Sequence, residues 1–288
     1  MEVTEDRISI CGWPTDVVSI DHCVGTSGVS QPHTLIVFIP GNPGVIHWYV
    51  DFLFKILQTL GEGFAVRGVS YAGHGVGDDV VGTNEDHNTR MNSEQRENQG
   101  RRKMNVAWTM DGQVKHKVEW IDKIILEWNK NATIYEKSPT HKEFSSPKLI
   151  FISHSIGAHL VQCLLLERPD ILARTSHIIH LMPFFRFDPP LLKKALLSTV
   201  AHNYRMTIPI MTAAVRCFSL TFPSRLIELC MKKIAGVDCE KGRKIAMDVF
   251  LNPKMVKNHL VLGTQEVREL PELPNVSIFT CFVNVSSC

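Results

Sequence analysis

Ser153-His154-Ser155-Ile156-Gly157 closes an apolar, β-branched run that begins at Lys148, and a helical apolar pattern opens directly after it. The pattern S-x-S-x-G departs from G-x-S-x-G at its first position, where serine is small enough to serve. A serine on such a strand-to-helix elbow is held in a strained conformation with its hydroxyl exposed, which suits nucleophilic attack on an acyl carbonyl. The amide of Ile156, first in the helix, would point at the same place as the serine oxygen, where the helix N-terminus favours developing negative charge. A second donor is expected from the loop Pro40-Gly41-Asn42-Pro43-Gly44, after the apolar run Thr34 to Ile39. Pro43 has no amide hydrogen, whereas Gly41, Asn42 and Gly44 can donate; Asn42 is the expected donor. A plain Pro/Gly turn between strand and helix would read the same way.

A serine hydroxyl needs an adjacent base, and that base needs an orienting acid. Asp188 and His259 follow Ser155 in the order Ser, Asp, His, and they are the candidate substitutes for acid and base, although nothing in their spacing selects them independently. Asp238 and Asp248 read as solvated residues. His74, in Tyr-Ala-Gly-His-Gly, and His154, beside the nucleophile, are expected to shape loops or to pack.

The elements that would position these groups alternate. Apolar runs at Arg7 to Cys11, Thr15 to Ile20, Thr34 to Ile39, Phe64 to Tyr71, Lys148 to Ser153, His177 to Met182 and Val276 to Val283 offer seven strands, the first pair antiparallel. Helical patterns fall at Tyr49 to Leu60, stopped by Gly61 and Gly63, at Asp111 to Trp128 with Asp111 as N-cap, and from about Ile156 to Glu167, ending before Pro169. Val114, Val118, Ile121, Ile125 and Trp128 make one apolar stripe on the second of these. Such alternation predicts an α/β fold with a mostly parallel sheet covered on both faces. Residues 82–105 have almost no apolar content and no period, and are expected to form a polar loop. Residues 189–263 are basic, apolar and helical in pattern, inserted after the sixth strand as a cap or lid would be.

The chain has 288 residues, 44% hydrophobic, which fits one domain over 1–288. With 31 basic and 29 acidic side chains the formal charge is +2, too weak a field to argue for nucleic acid. Eight cysteines show no C-x-x-C pair and fit a reducing compartment. No basic start followed by an apolar stretch marks a signal peptide, so the sequons at Asn131, Asn275 and Asn284 read as chance matches. No segment reaches the roughly 18 apolar residues of a membrane span; Met206 to Phe222 comes nearest, and Pro209 and Arg216 within it suit lying on a membrane rather than crossing it. No cofactor and no metal are expected.

The stretches LIVFIPGNPG, GVSYAGHG, DGQVKHKVEWI and FISHSIG, in that order, resemble the lipid droplet-associated hydrolase family of α/β-hydrolases. The resemblance implies a serine hydrolase on the cytosolic side of lipid droplets and the endoplasmic reticulum that acts on lipid esters and influences neutral-lipid storage. It implies Ser155 as nucleophile, the Asn42 loop beside the oxyanion, and residues 191–237 as a peripheral droplet-docking surface, with Lys193, Lys194 and Arg216 beside apolar residues; a helical cap packed on the enzyme would bury the same residues. Members of the family continue into a Gly-x-x-Asp-x-Trp loop and a later histidine. This chain reaches Cys288 with neither, which leads to the expectation of a truncated or alternatively spliced form, with part of the fold missing and activity impaired. In a well-studied protease, loss of serine or histidine removes about 10⁶ in turnover. A non-catalytic droplet-surface protein is the competing reading, and a peptidase or acyltransferase on the same fold stays open.

Overall fold

The apolar runs form one six-stranded sheet in the order β1-β2-β4-β3-β5-β6. In the computed structural model, residues 1–22, 32–75, 109–135, 147–185, 199, 202–233 and 240–270 are described. The strands are β1 (Glu2–Ile10), β2 (Trp13–Asp21), β3 (Thr34–Ile39), β4 (Phe64–Val69), β5 (Lys148–His154) and β6 (Thr175–Leu181). The first two form an antiparallel hairpin, β2 pairs antiparallel with β4, and β4, β3, β5 and β6 run parallel. Cys11, expected to end the first strand, instead makes the hairpin turn with Gly12, at φ of 49° and 75°. Two consecutive left-handed residues give the turn whose twist matches the strands it joins.

Every residue of β3 is buried. That is why this strand reads as an unbroken apolar run rather than an alternating one: a parallel strand covered on both sides has no polar face. Leu35, Val37 and Ile39 point into the larger core with Trp120, Phe151, Leu160 and Leu262, while Ile36 and Phe38 point into the opposite core with Leu53 and Leu57.

A 3-10 turn (Ile46–Tyr49) leads into α1 (Val50–Leu60), which covers the second core and stops at Gly61, φ 87°. Helix α2 (Met110–Tyr135) lies on the other face. Its cap is Thr109, whose hydroxyl accepts from the Gly112 amide at 3.0 Å. Asp111, expected in that role, lies inside the first turn, where its carboxylate suits the helix dipole and pairs with Lys115 at 2.7 Å. After β5 come α3 (Gly157–Glu167) and α4 (Pro169–Arg174), the second starting on Pro169, which fits a first helical position.

Within 189–263 the described residues are helical. They form α5 (Tyr204–Thr221), α6 (Ser224–Lys233) and α7 (Glu240–Phe250), and α8 (Pro253–Glu269) runs on beyond Gly263. Asn252 caps α8, accepting from the amides of Lys254 and Met255. Leu262 of α8 is fully buried in the core that holds Trp120, so this helix is packed into the body of the fold. The polar loop 82–105, the seventh apolar run and Asp188 lie outside the described residues.

Gln113 joins α2 to the loop after β4. Its carboxamide accepts from the Ala72 amide at 3.1 Å and donates to the Ala72 carbonyl at 3.3 Å, both buried. Gln113→Leu preserves size and strands those two main-chain groups. It is expected to destabilise by about 1–3 kcal/mol for each buried group left without a partner, read as a lower urea midpoint at unchanged slope.

Candidate active site

Ser155 sits at φ 51°, one of few non-glycine residues in the left-handed region. Its amide donates to the Leu181 carbonyl at 3.0 Å, and its own carbonyl accepts from the Ala158 and Phe184 amides at 3.1 and 3.0 Å. These bonds fasten the elbow to the end of β6. A Cβ at Gly157 would lie 2.5 Å from the Pro40 carbonyl and 2.6 Å from that of Ile39, so α3 starts directly against the end of β3 and only glycine fits there. The serine at position 153 is accommodated differently. It faces His180 in register across β5 and β6, and the two side chains share a hydrogen bond of 2.6 Å. Burial lowers the His180 pKa to about 4, keeping the ring neutral.

The Pro-Gly-Asn-Pro-Gly loop lies against this elbow. A Cβ at Gly41 would fall 2.8 Å from the Ser155 Cβ and 2.7 Å from His154 Nδ1. Tyr71 supports the loop from beneath. Its amide donates to the Gly44 carbonyl at 2.8 Å, its hydroxyl donates to the Pro40 carbonyl at 2.7 Å, and its ring fills the space a side chain at Gly44 would need. Burial raises the Tyr71 pKa, so the phenol stays a donor. Lys117 Nζ in turn sits 4.5 Å from the Tyr71 ring centre and donates to the Ser70 carbonyl at 3.2 Å. Of the three loop amides that could serve an oxyanion, Gly44 donates to the Gly41 carbonyl at 2.6 Å. The amides of Asn42 and Ile156 make no hydrogen bond among the described residues.

Helix α8 closes over the far side of the loop. The Asn42 amide group donates to the His259 carbonyl at 3.4 Å, and Asn258 donates to the Gly73 carbonyl at 2.6 Å. His74, fully buried, hydrogen-bonds the Pro43 carbonyl through Nδ1 at 2.6 Å, and the His259 ring lies 4.7 Å from it, centre to centre. Burial drives the pKa of His74 down to about 4 and that of His259 to about 2, so both rings are neutral. Glu266, two turns further along, is buried beside Asn42, and desolvation raises its pKa to about 7.

Ser155 and Ile156 are adjacent at the elbow, and Asn42 follows the Gly41 that packs against it. His259 reaches the same loop from behind, on the Pro43 side. Among the described residues no imidazole hydrogen-bonds the Ser155 hydroxyl, and no cluster of histidine, cysteine or carboxylate groups could hold a metal. Tyr49 and Glu266 were not singled out from the sequence. Tyr49 opens what reads as an ordinary helix, and Glu266 lies in a polar helical stretch, so neither carries a local signal; each is found only through the loop it touches.

A family model described as lipid-droplet associated hydrolase matches residues 32–284. The chain belongs to that family. It is 25% identical over 170 residues to the lipid droplet-associated hydrolase of Homo sapiens, covering 58% of this chain and 41% of the human protein. With the Mus musculus protein of the same name it shares 24% over 273 residues, covering 92% and 70% respectively. In the human match the chain spans about two fifths of the relative's length. Among solved structures, the thioesterase domain from the curacin biosynthetic pathway superposes with a TM-score of 0.50 at 13% identity, over 98% of this chain and 80% of that one. The family's fold is the α/β-hydrolase fold, and the mixed, mostly parallel sheet agrees with it.

Glu266 supplies a pH test. Unfolded, its carboxyl ionises near 4.5, whereas folded it keeps its proton to about 7, so ionisation opposes folding progressively between those values. Glu266→Gln is permanently neutral and escapes that penalty. The variant is expected to gain on wild type by up to roughly 3 kcal/mol between pH 5 and pH 8, measured by denaturant melts at both pH values.

Proposed function

We propose that the chain acts as a serine ester hydrolase on lipid esters at the surface of lipid droplets, on their cytosolic side, and so influences neutral-lipid storage. The observation that carries the reading is the left-handed Ser155 with glycine at 41 and 157 clearing space around it and two unengaged amides, of Ile156 and Asn42, beside it. Ser155 Oγ attacks the ester carbonyl as its proton passes to solvent, the two amides hold the oxyanion, and collapse breaks the C–O bond, the departing oxygen taking a proton from solvent to leave as the alcohol; water then hydrolyses the acyl-serine to acid and free serine. Donors fixed in advance stabilise developing charge without reorganisation. In this proposal His259 braces the loop as a neutral ring, and Asp188 is not given a role. In this reading the Ile156 and Asn42 amides supply the oxyanion half of the machinery, a contribution of roughly 10³–10⁴ over water.

The droplet side of the proposal rests on α5. Its inward residues are Ile208, Thr207, Thr212, Val215 and Ser219, while Met206, Ile210, Met211, Phe218 and Leu220 face out, Leu220 79% and Met206 69% exposed. Arg205 and Arg216 are exposed on the same helix. An outward apolar face flanked by cations is the distribution that an interfacial helix uses. Among the described residues no helix is long and apolar enough to cross a membrane.

A fluorophosphonate probe is expected to label the full chain at Ser155, with labelling abolished in Ser155→Ala, and release of fatty acid from neutral lipid esters should exceed cleavage of peptide substrates. Absence of labelling would favour a non-catalytic droplet binder instead. For the surface, Met206→Asp with Leu220→Asp should lower recovery with a floated triolein emulsion by about tenfold or more, since each apolar side chain contributes roughly 1.5–3 kcal/mol when taken from water; equal recovery would remove α5 from the docking surface.

A further inference from the structure

Tyr49 ends the 3-10 turn that follows the Pro-Gly-Asn-Pro-Gly loop, and its ring packs on Phe38 with centres 4.6 Å apart. Its hydroxyl meets His154 Nδ1 at 2.9 Å, and a Cβ at Gly41 would lie 2.7 Å from that same nitrogen. One hydrogen bond therefore joins the turn that continues the oxyanion loop to the residue directly before the nucleophile. The direction of the proton follows from the partners. The phenol proton has no acceptor among the described residues other than His154 Nδ1, and a part-buried hydroxyl proton left unpaired is costly. His154 therefore takes the tautomer with its proton on Nε2, and its ring is held in place by the bond at Nδ1. Burial lowers the His154 pKa and agrees with a neutral ring.

We propose that Tyr49 is a positioning residue of the Ser155 site: through its hydroxyl it ties the turn that follows the Gly41–Asn42 loop to His154, and so fixes the spacing between loop and elbow, and it sets the tautomer of His154. The assignment rests on the esterase reading for its consequence and on the hydrogen bond at His154 and the close approach of Gly41 to that ring for its geometry. It differs from the support given by Tyr71. That residue's hydrogen bonds, to the Pro40 and Gly44 carbonyls, both fall within the loop, whereas Tyr49, on the turn after the loop, bonds the residue before the nucleophile. The distinction matters because a donor displaced by a fraction of an ångström from the oxyanion loses most of its effect while the fold stays intact.

Tyr49→Phe removes the hydroxyl and keeps the ring on Phe38. In the full chain, the rate constant for fluorophosphonate labelling at Ser155 is expected to fall by about tenfold or more, with the melting temperature close to that of wild type. Nitrogen-15 spectra of histidine-labelled protein are expected to show His154 held as the Nε2-protonated tautomer in wild type and as a mixture in Tyr49→Phe, a change that a purely structural role for the ring would not produce. Equal labelling rates in the two proteins, or an unchanged His154 signature, would overturn the assignment. A wild-type chain that takes no probe at Ser155 refutes the esterase reading, and the nitrogen spectra then decide the Tyr49 assignment by themselves.

Discussion

The backbone at Ser155 is the constraint on which the rest of the site depends. A non-glycine residue at φ 51° costs of order 1–3 kcal/mol and persists only where its surroundings leave no alternative. Here three main-chain hydrogen bonds tie it to Leu181, Ala158 and Phe184, and α3 abuts the carbonyls of Ile39 and Pro40 through a glycine that has no room for a side chain. The buried centre of the sheet offsets that strain. β3 and β5 are parallel neighbours, with β3 wholly enclosed, so the ends of both strands are held rigidly, and the loop after one and the elbow after the other are fixed relative to each other. A serine at the same position on a solvated turn would relax.

The loop opposite the elbow contains two prolines and two glycines and has little packing of its own, so its conformation is imposed from outside. Tyr71 grips its two ends from below, Tyr49 links it sideways to His154, and α8 covers it through Asn258 and His259. Several groups in this shell are ionisable, and burial favours the neutral form of each: His74 and His259 have depressed pKa values and Tyr71 a raised one, while Glu266, raised to about 7, is neutral below that pH. Neutrality has a chemical use here. Fixed dipoles in a poorly solvated shell act on a developing oxyanion more strongly than they would in water, whereas a buried carboxylate in the same place would oppose that charge.

Much of this was legible along the chain because the signals were local. The unbroken apolar run Thr34 to Ile39, the S-x-S-x-G elbow followed at once by a helix, and the Pro/Gly loop each follow from the chemistry of adjacent residues, and the structure sets that loop against that elbow. Cap assignments were less secure. Asp111 and Thr109 both have the chemistry of an N-cap, and only the main chain decides that Thr109 takes the Gly112 amide. What the sequence left silent is the support. Ser153 is explained by a histidine 27 positions away, Asn42 by a helix 217 positions away, and Tyr49 by a partner 105 positions away. Contacts of that range leave no period and no motif in either segment.

The character of α5 turns on where its hydroxyl groups go. A helix packed as an ordinary cap buries its apolar side chains and exposes its polar ones, because a buried polar group needs a partner. In α5 the order is inverted, and the partners come mostly from the preceding turn: Thr207 donates to the Asn203 carbonyl, Thr212 to that of Ile208, and Ser219 to that of Val215 and also to that of Leu251, outside the helix. With their hydroxyls satisfied locally, these small side chains can face the protein at little expense, and Ile208 is the one residue of the helix fully withdrawn from water. The methionines, isoleucine, phenylalanine and leucine that remain are then left outward, a contiguous apolar face of the kind soluble monomers seldom leave uncovered. α5 in turn lies along α8, the helix that carries His259 and Glu266 against the Asn42 loop.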